Sequence, residues 1–330
     1  MRIFYGHKLL TAVITVLFIV FLSLFARMLT AAEQTVAKDP VHLPADRELY
    51  RVVAGAFWQT NCYIIAGKNH EALVIDPSDE LTVNKVRLLV DPDTGKSTVA
   101  TPEQMAKINI DSYTDPETGK EYRVYWQYHS TGDDIKKIYD VLQQKKLVCK
   151  YIVITHGHID HIAGLKFLKE HTGAKILMNR ADTRAIDGKK LPPEVAGEKI
   201  DAYPKDSYSI EGGEPKVDQF INDGDLISLD NNRLVFQVMS TPGHSPGSIT
   251  LRTRWKGMQV LFAGDTLFYH TIGRSNFRDG TGDHDLLLRT IREKFLTLPD
   301  NTIVYPGHYQ PTTVGEEKRY RTLEQFQNSL

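Results

Sequence analysis

Apolar residues fall in short runs along the chain, and the spacing within each run predicts its element. Runs 49–54, 61–66 and 72–76 are short and bounded by polar turn formers, the pattern of strands. Asp76-Pro77-Ser78 closes the third. Over 133–146 the apolar positions Ile135, Ile138, Val141 and Leu142 recur at helical spacing, and Asp133 or Asp134 can cap the start. Residues 151–155 form an apolar run typical of a buried strand. Residues 162–171 fit another helix that Gly173 can end, and 174–178 fit the next strand. This alternation predicts an α/β protein.

Two stretches break the rhythm. Residues 81–132 contain two similar turns, DPDTGK at 91–96 and DPETGK at 115–120, with an aromatic-rich run at 122–129. Pro followed by Gly in such turns marks hairpin tips, so this stretch reads as an inserted β-rich segment. Its Tyr125, Trp126 and Tyr128 either line a substrate cleft, if the insertion folds over it as a lid, or pack their own subdomain. Residues 187–220 form a second long, polar connection.

The N-terminus is of another kind. Residues 9–26 carry no charge between Lys8 and Arg27. As a helix this run spans about 27 Å, slightly short of the ~30 Å hydrocarbon core of a bilayer. It is also longer than a signal-peptide core of about 7–15 residues. Arg2, His7 and Lys8 supply a basic flank, and Thr30 and Ala32 supply small residues for cleavage. A retained transmembrane anchor and a cleaved signal helix are both open. Either keeps the basic flank in the cytoplasm and exports the rest. The expected organisation is this segment at 1–32, a linker with Pro40 and Pro44 at 33–48, and one folded domain at 49–330.

Composition then excludes several classes. Length alone suggests about two domains; without the leader, linker and insertion, one remains. Lys+Arg number 40 against 41 Asp+Glu, a net charge of -1, which argues against a nucleic-acid binder. With 41% hydrophobic and 25% charged residues, the chain is neither disordered nor a polytopic membrane protein. Its two cysteines, Cys62 and Cys149, cannot build a disulfide scaffold or a four-cysteine zinc site. Cys62 reads as a buried small hydrophobe in an apolar strand and Cys149 precedes a strand, so neither reads as a nucleophile.

The histidines are more informative. The strand at 151–155 runs directly into His156-Gly157-His158-Ile159-Asp160-His161, which places four candidate ligands at a strand-to-helix turn. Imidazole and carboxylate suit zinc, manganese or iron. A strand end can aim side chains into one small volume, and Gly157 lets the backbone turn sharply.

This HxHxDH pattern resembles the signature of the metallo-β-lactamase superfamily. The resemblance implies an α/β, four-layer αββα fold with a metal site at the sheet edge, carrying here the insertion and the N-terminal helix. It also implies three later ligands. The stretch around Pro242-Gly243-His244 is similar to the third-histidine motif, Gly264-Asp265 follows the apolar run 260–262, and Gly307-His308 follows 302–304. By that resemblance His156, His158 and His244 hold one ion, Asp160, His161 and His308 a second, and Asp265 bridges them. The implied cofactor is two zinc ions, with iron or manganese as alternatives. The implied chemistry is attack by metal-bound hydroxide, with Asp160 and Asp265 as the catalytic carboxylates.

Gln59-Thr60-Asn61-Cys62-Tyr63, the LFAGDTLF stretch at 261–268 with Gly273-Arg274-Ser275-Asn276, and the stretch 312–319 resemble glyoxalase II-like hydroxyacylglutathione hydrolases. That likeness implies a small-molecule thioester or ester substrate, with Arg274, Lys318 and Arg319 as candidate anchors for a carboxylate. The chain departs from the pattern in several ways. Ser275-Asn276 stands where Thr-Asp is usual, and only 22 residues follow His308, too few for a glutathione-binding helical domain. The insertion and the exported location are further departures. Alternatives are a mononuclear iron persulfide dioxygenase, a lactonase, a β-lactamase (against which Asp265 weighs) and a non-enzymatic metal-binding envelope protein.

Overall fold

The computed structural model describes residues 48–182, 208–210 and 215–320, apart from 95, 110, 111, 256 and 278–281. The apolar run 9–26 lies outside these residues. Among the described residues no helix is long and apolar enough to cross a membrane.

Three strands open the domain: β1 (Glu48–Ala54), β2 (Thr60–Ala66) and β3 (Glu71–Ile75). The insertion follows, with β4 (Leu81–Val90), β5 (Ser97–Val99), the single-turn helix α1 (Pro102–Met105), β6 (Ser112–Thr114) and β7 (Glu121–Ser130). Then come α2 (Asp133–Gln144), β8 (Val148–Ile154), the short α3 (Ile159–Ile162), α4 (Leu165–Thr172) and β9 (Lys175–Met178). The helix expected over 162–171 is thus two, broken at Ala163-Gly164. A side chain at Gly164 would meet Ile135 of α2 at 2.6 Å, so the break lets the two helices pack closely. Two short strands, β10 (Tyr208–Ile210) and β11 (Gln219–Phe220), lie within the second long connection.

The second half holds β12 (Leu226–Leu229), β13 (Leu234–Ser240), β14 (Ile249–Trp255) and β15 (Met258–Gly264). The small hairpin β16 (Leu267–Phe268) and β17 (Thr271–Ile272) follows. Helix α5 (His284–Thr290) runs into a wider turn at Ile291–Phe295, and β18 (Ile303–Pro306), β19 (Thr312–Thr313) and α6 (Val314–Arg319) close the described chain.

Two six-stranded sheets result, ordered β1-β2-β3-β8-β9-β11 and β12-β13-β14-β15-β18-β19. Side-chain alternation along β2 shows how they pack. Cys62, Ile64 and Ala66 join a core shared with Ile135, Ile138 and Leu142 of α2 and with Leu165 and Leu168 of α4. Tyr63 and Ile65 point the other way, into a core shared with Phe236, Leu251 and Phe262 of the second sheet. On that sheet's far face Leu261 and Val304 meet Leu287, Ile291 and Phe295. The order is helix, sheet, sheet, helix, the four αββα layers expected.

The insertion is a sheet of its own, β10-β7-β4-β5 with β6 beside β7, around a small core of Leu89, Ala100, Tyr113 and Val124. Both predicted turns are hairpin tips. Asp91 Oδ1 accepts from the Asp93 amide at 2.9 Å, and Asp115 Oδ1 accepts from the Glu117 amide at 2.8 Å. Tyr128 packs against the helix-side core, so it supports the subdomain. None of the insertion's described side chains lines the cleft over the centre, and those of Tyr125 and Trp126 lie outside the described ones. At the neck, Asp79 accepts from the backbone N–H groups of Gly132 (2.5 Å), Asp134 (2.8 Å) and Ile135 (3.2 Å), and from the Ser130 hydroxyl. It therefore satisfies the first turn of α2 from outside the helix, a task expected of Asp133 or Asp134.

Candidate metal centre

The site is built where strands stop. His156, His158, Asp160 and His161 follow β8, Asp265 follows β15, and His308 follows β18. His244 sits on the turn from β13 to β14. The two sheets are tied at this end: the Ile249 N–H donates to the Thr155 carbonyl at 2.9 Å, and the Asn61 N–H to the Gly307 carbonyl at 2.7 Å.

All seven residues expected as ligands come together. His156, His158 and His244 form one group whose donor atoms lie within 4.8 Å of one another, and Asp160, His161 and His308 form another. A third combination joins His156, His161 and Asp265. Asp265 stands between the groups: Oδ2 is 3.5 Å from His244 Nε2 and 3.3 Å from His308 Nε2, and Oδ1 is 3.4 Å from His161 Nε2. Both Asp265 Oδ1 and His161 Nε2 are buried without a hydrogen-bond partner. Convergent imidazole nitrogens and carboxylate oxygens of this kind fit a metal ion rather than one another.

Sequence reasoning missed the groups that orient these rings. His161 Nδ1 lies 2.9 Å from Asp76 Oδ2, and the Thr155 hydroxyl donates to the same oxygen at 2.7 Å. His156 Nδ1 is 3.0 Å from that hydroxyl, so Asp76 fixes two imidazoles with Nε2 turned inward. The Arg274 carbonyl does the same for His244 through Nδ1 at 2.6 Å. The Thr60 hydroxyl holds Asp160 Oδ2 at 2.8 Å. Asn61 donates to the carbonyls of Pro306 (2.9 Å) and Tyr309 (2.7 Å), and Tyr63 donates to that of Pro306 (2.6 Å). The Asn-Cys-Tyr stretch therefore braces the loop that carries His308. Asp182, at 1% exposure, accepts from the Gly157 N–H (3.0 Å), the Gly247 N–H (2.5 Å) and the Ser245 hydroxyl (2.5 Å). It thus joins the two loops of the first group.

Gly273 shows how tight the assembly is. A Cβ there would lie 1.7 Å from the Asp265 carbonyl oxygen, so only glycine fits.

The electrostatics are divided. Burial, reinforced by neighbouring histidines, pushes His156 and His158 well below the usual imidazole range, so they stand neutral as ligands must. Burial also presses on His161, but Asp160, Asp265 and Asp76 outweigh it and lift it to about 10. His308 likewise overcomes burial through Asp265 and Asp160 and rises to about 12. Burial would raise Asp160 and Asp265, yet His161 and His308 hold both below the carboxylate range. Two buried carboxylates call for positive charge at this point.

The candidate anchors separate. Arg274 lines the cleft over the centre. Lys318 and Arg319 do not: Lys318 binds Asp300 at 2.7 Å and the Leu298 carbonyl at 3.0 Å, and Arg319 pairs with Glu316 at 3.1 Å. Their place on α6, whose acidic neighbours engage them, corrects their assignment as substrate anchors.

A four-layer αββα sandwich with a His/Asp metal-binding cluster at its strand ends defines a metalloprotein class built mostly of hydrolases. The family model of the metallo-beta-lactamase superfamily matches residues 110–308, and the chain belongs to that superfamily. It is 30% identical over 194 residues to the hydroxyacylglutathione hydrolase GloC of Haemophilus influenzae, covering 57% of this chain and 82% of that protein. It is 31% identical over 190 residues to the probable metallo-hydrolase YqgX of Bacillus subtilis, covering 57% and 81%. The crystal structure of the BLEG-1 B3 metallo-beta-lactamase superposes with a TM-score of 0.53 at 23% identity, over 84% of this chain and 99% of that one, a likeness of fold.

Proposed function

We propose that the chain is a dinuclear metallohydrolase that cleaves a thioester or a related ester, with hydroxyacylglutathione thioesters as the first class to test. The observation that carries this reading is Asp265, whose two oxygens face both histidine groups at once. On this reading His156, His158 and His244 hold one ion, Asp160, His161 and His308 the other, and Asp265 both. A bound pair of cations supplies an acidified water at neutral pH and charge for a developing oxyanion. The protein's own part is to fix that pair: Asp76, Thr155 and the Arg274 carbonyl aim the imidazoles, Thr60 aims Asp160, and Asp182 and Asn61 hold the loops. The likeness to GloC favours the thioester.

The test measures metal content on the same sample as hydrolysis of lactoylglutathione, a lactone and a β-lactam. Two zinc ions per chain with thioester cleavage, lost on chelation and regained on reloading, is the expected result. One iron per chain without hydrolysis points instead to the persulfide oxygenase chemistry, and a metal-free, inactive chain to a binding protein.

We further propose that the domain beginning near residue 49 works outside the cytoplasm, held by the run 9–26 or released after it. The absence of charge between Lys8 and Arg27 supports this. A reporter active only after export, fused after residue 48, should be active; an inactive fusion, with a cytosol-active reporter working at the same junction, overturns the orientation.

A further inference from the structure

The cleft over the centre has a volume of about 510 Å³, and its walls are unusually aromatic. Phe277 packs against His158 and His244, with ring centroids 4.9 and 5.4 Å apart. Phe268 stands edge-on to His308 at 5.6 Å. Phe57, Trp58 and Tyr309 are the other aromatic side chains of the lining, with Phe57 80% and Tyr309 62% exposed. A single exposed apolar residue needs no explanation, but five aromatic side chains around one polar floor form an apolar surface that a ligand would cover.

Phe57 is held in this exposed position. The Gly55 N–H donates to Asp134 at 2.8 Å, the Ala56 N–H donates to Glu80, and the Gln59 N–H returns to the Gly55 carbonyl at 2.9 Å. The Phe57 and Trp58 rings meet edge-to-face at 4.9 Å. The loop is fixed at both ends, so the rim is part of the built site.

One cation other than histidine lines the described cleft, Arg274. Its Nε donates to Asn276 Oδ1 at 3.1 Å, and its guanidinium carbon lies 4.9 Å from the Phe277 ring centroid. Asn276 is a neutral partner, and among the described residues Arg274 forms no ion pair. The guanidinium is therefore oriented, while its charge is left uncompensated. Among the described lining residues the acidic groups are Asp160 and Asp265, both committed to the centre. Neither of these carboxylates is left to pair with a substrate ammonium.

We infer that the substrate carries a sizeable apolar group, aryl or long alkyl, beside the scissile bond, together with a single carboxylate that Arg274 binds. This rests on the metallohydrolase reading and narrows it. Of the charges on glutathione, two carboxylates and an ammonium, the described lining offers an ion-pair partner to one carboxylate alone, at Arg274.

The test uses the full-length, metal-loaded protein and four thioesters: S-benzoyl-3-mercaptopropionate, its methyl ester, S-acetyl-3-mercaptopropionate and S-lactoylglutathione. The first should have the highest kcat/KM, with losses of about tenfold on removing either the aryl group or the carboxylate. Phe57→Ala should cut the benzoyl-over-acetyl preference about tenfold. Asn276→Asp, which gives Arg274 a partner, should cut the acid-over-methyl-ester preference by a similar factor, chiefly through KM. Equal rates across the panel, or a lactoylglutathione preference with both ratios unmoved, overturn the inference. Binding of the inert thioether S-benzyl-3-mercaptopropionate against S-methylglutathione is measured in parallel. If no thioester is cleaved, the hydrolase reading has failed. The substrate inference then stands or falls on whether the benzyl acid binds at least tenfold tighter and loses that margin in Phe57→Ala.

Discussion

Asp265→Ala should abolish hydrolysis, lowering kcat/KM by at least about 10³-fold, and should reduce occupancy of both metal sites together. Among the described residues, this carboxylate is the one acidic side chain within 3.5 Å of His161, His244 and His308 at once. On the proposed assignment its removal takes a ligand from each ion and brings the two cations' mutual repulsion fully into play. Losing several kcal/mol of transition-state charge stabilisation gives the stated factor. Asp265→Asn is the sharper control, because it keeps the shape and one oxygen but removes the charge. It should also lose the second ion. The fold should survive either change, since the inter-sheet core around Phe236, Leu251 and Phe262 lies apart from this carboxylate. Metal analysis, kcat/KM and a thermal melt on each variant check the result. Two ions per chain in Asp265→Ala would remove the bridging role.

The metal-binding residues were legible because each occupies the end of a strand that announces itself. A buried strand reads as a continuous apolar run, and a histidine or aspartate directly after it can only project at the sheet edge. That is the position of His156, Asp265 and His308. The supports were not legible, for a physical reason: Asp76 acts on His161 across 85 residues, and Asn61 on the Pro306 carbonyl across 245. Asp76 read as the close of a strand before a turn. A buried acid at a strand end beside the cluster was the one available signal. The Asn-Cys-Tyr stretch was visible as a resemblance, but its task of bracing the His308 loop appears only when β2 and β18 meet across two sheets. Lys318 and Arg319 misled for the opposite reason. They lie near a ligand in sequence, yet Lys318 binds Asp300 and Arg319 pairs along α6. The insertion's hairpin tips were legible in its two turns, whereas the pairing of β7 with the distant β10 was not.

Asp182 gives the second large expectation. It was outside every motif, yet both glycine-bearing loops of the first histidine group close on it. A Cβ at Gly157 would meet the Asp182 carbonyl oxygen at 2.7 Å, and one at Gly247 its Oδ1 at 2.6 Å. Asp182→Ala should therefore leave two buried N–H groups without an acceptor and the Ser245 hydroxyl with Ser248 as its remaining partner. At about 1–3 kcal/mol for each unsatisfied group, a destabilisation on the order of 3–4 kcal/mol follows. Affinity for metal at His156, His158 and His244 should fall about 10–100-fold. Asp182→Asn should lie between wild type and alanine, because an amide can replace only one of the two accepting oxygens. A pH series separates this role from simple packing. Burial pushes the Asp182 carboxyl up from 3.8 to about 6, against the three donors that favour its ionised form. The folded state thus holds this proton more tightly than the unfolded chain, and the group's contribution to stability declines as pH rises from about 4 to about 6. Asparagine has no proton to lose. Melts across that window should show Asp182→Asn gaining on the wild type as pH rises; a constant difference would mean that the carboxyl's charge plays no part in holding the two loops.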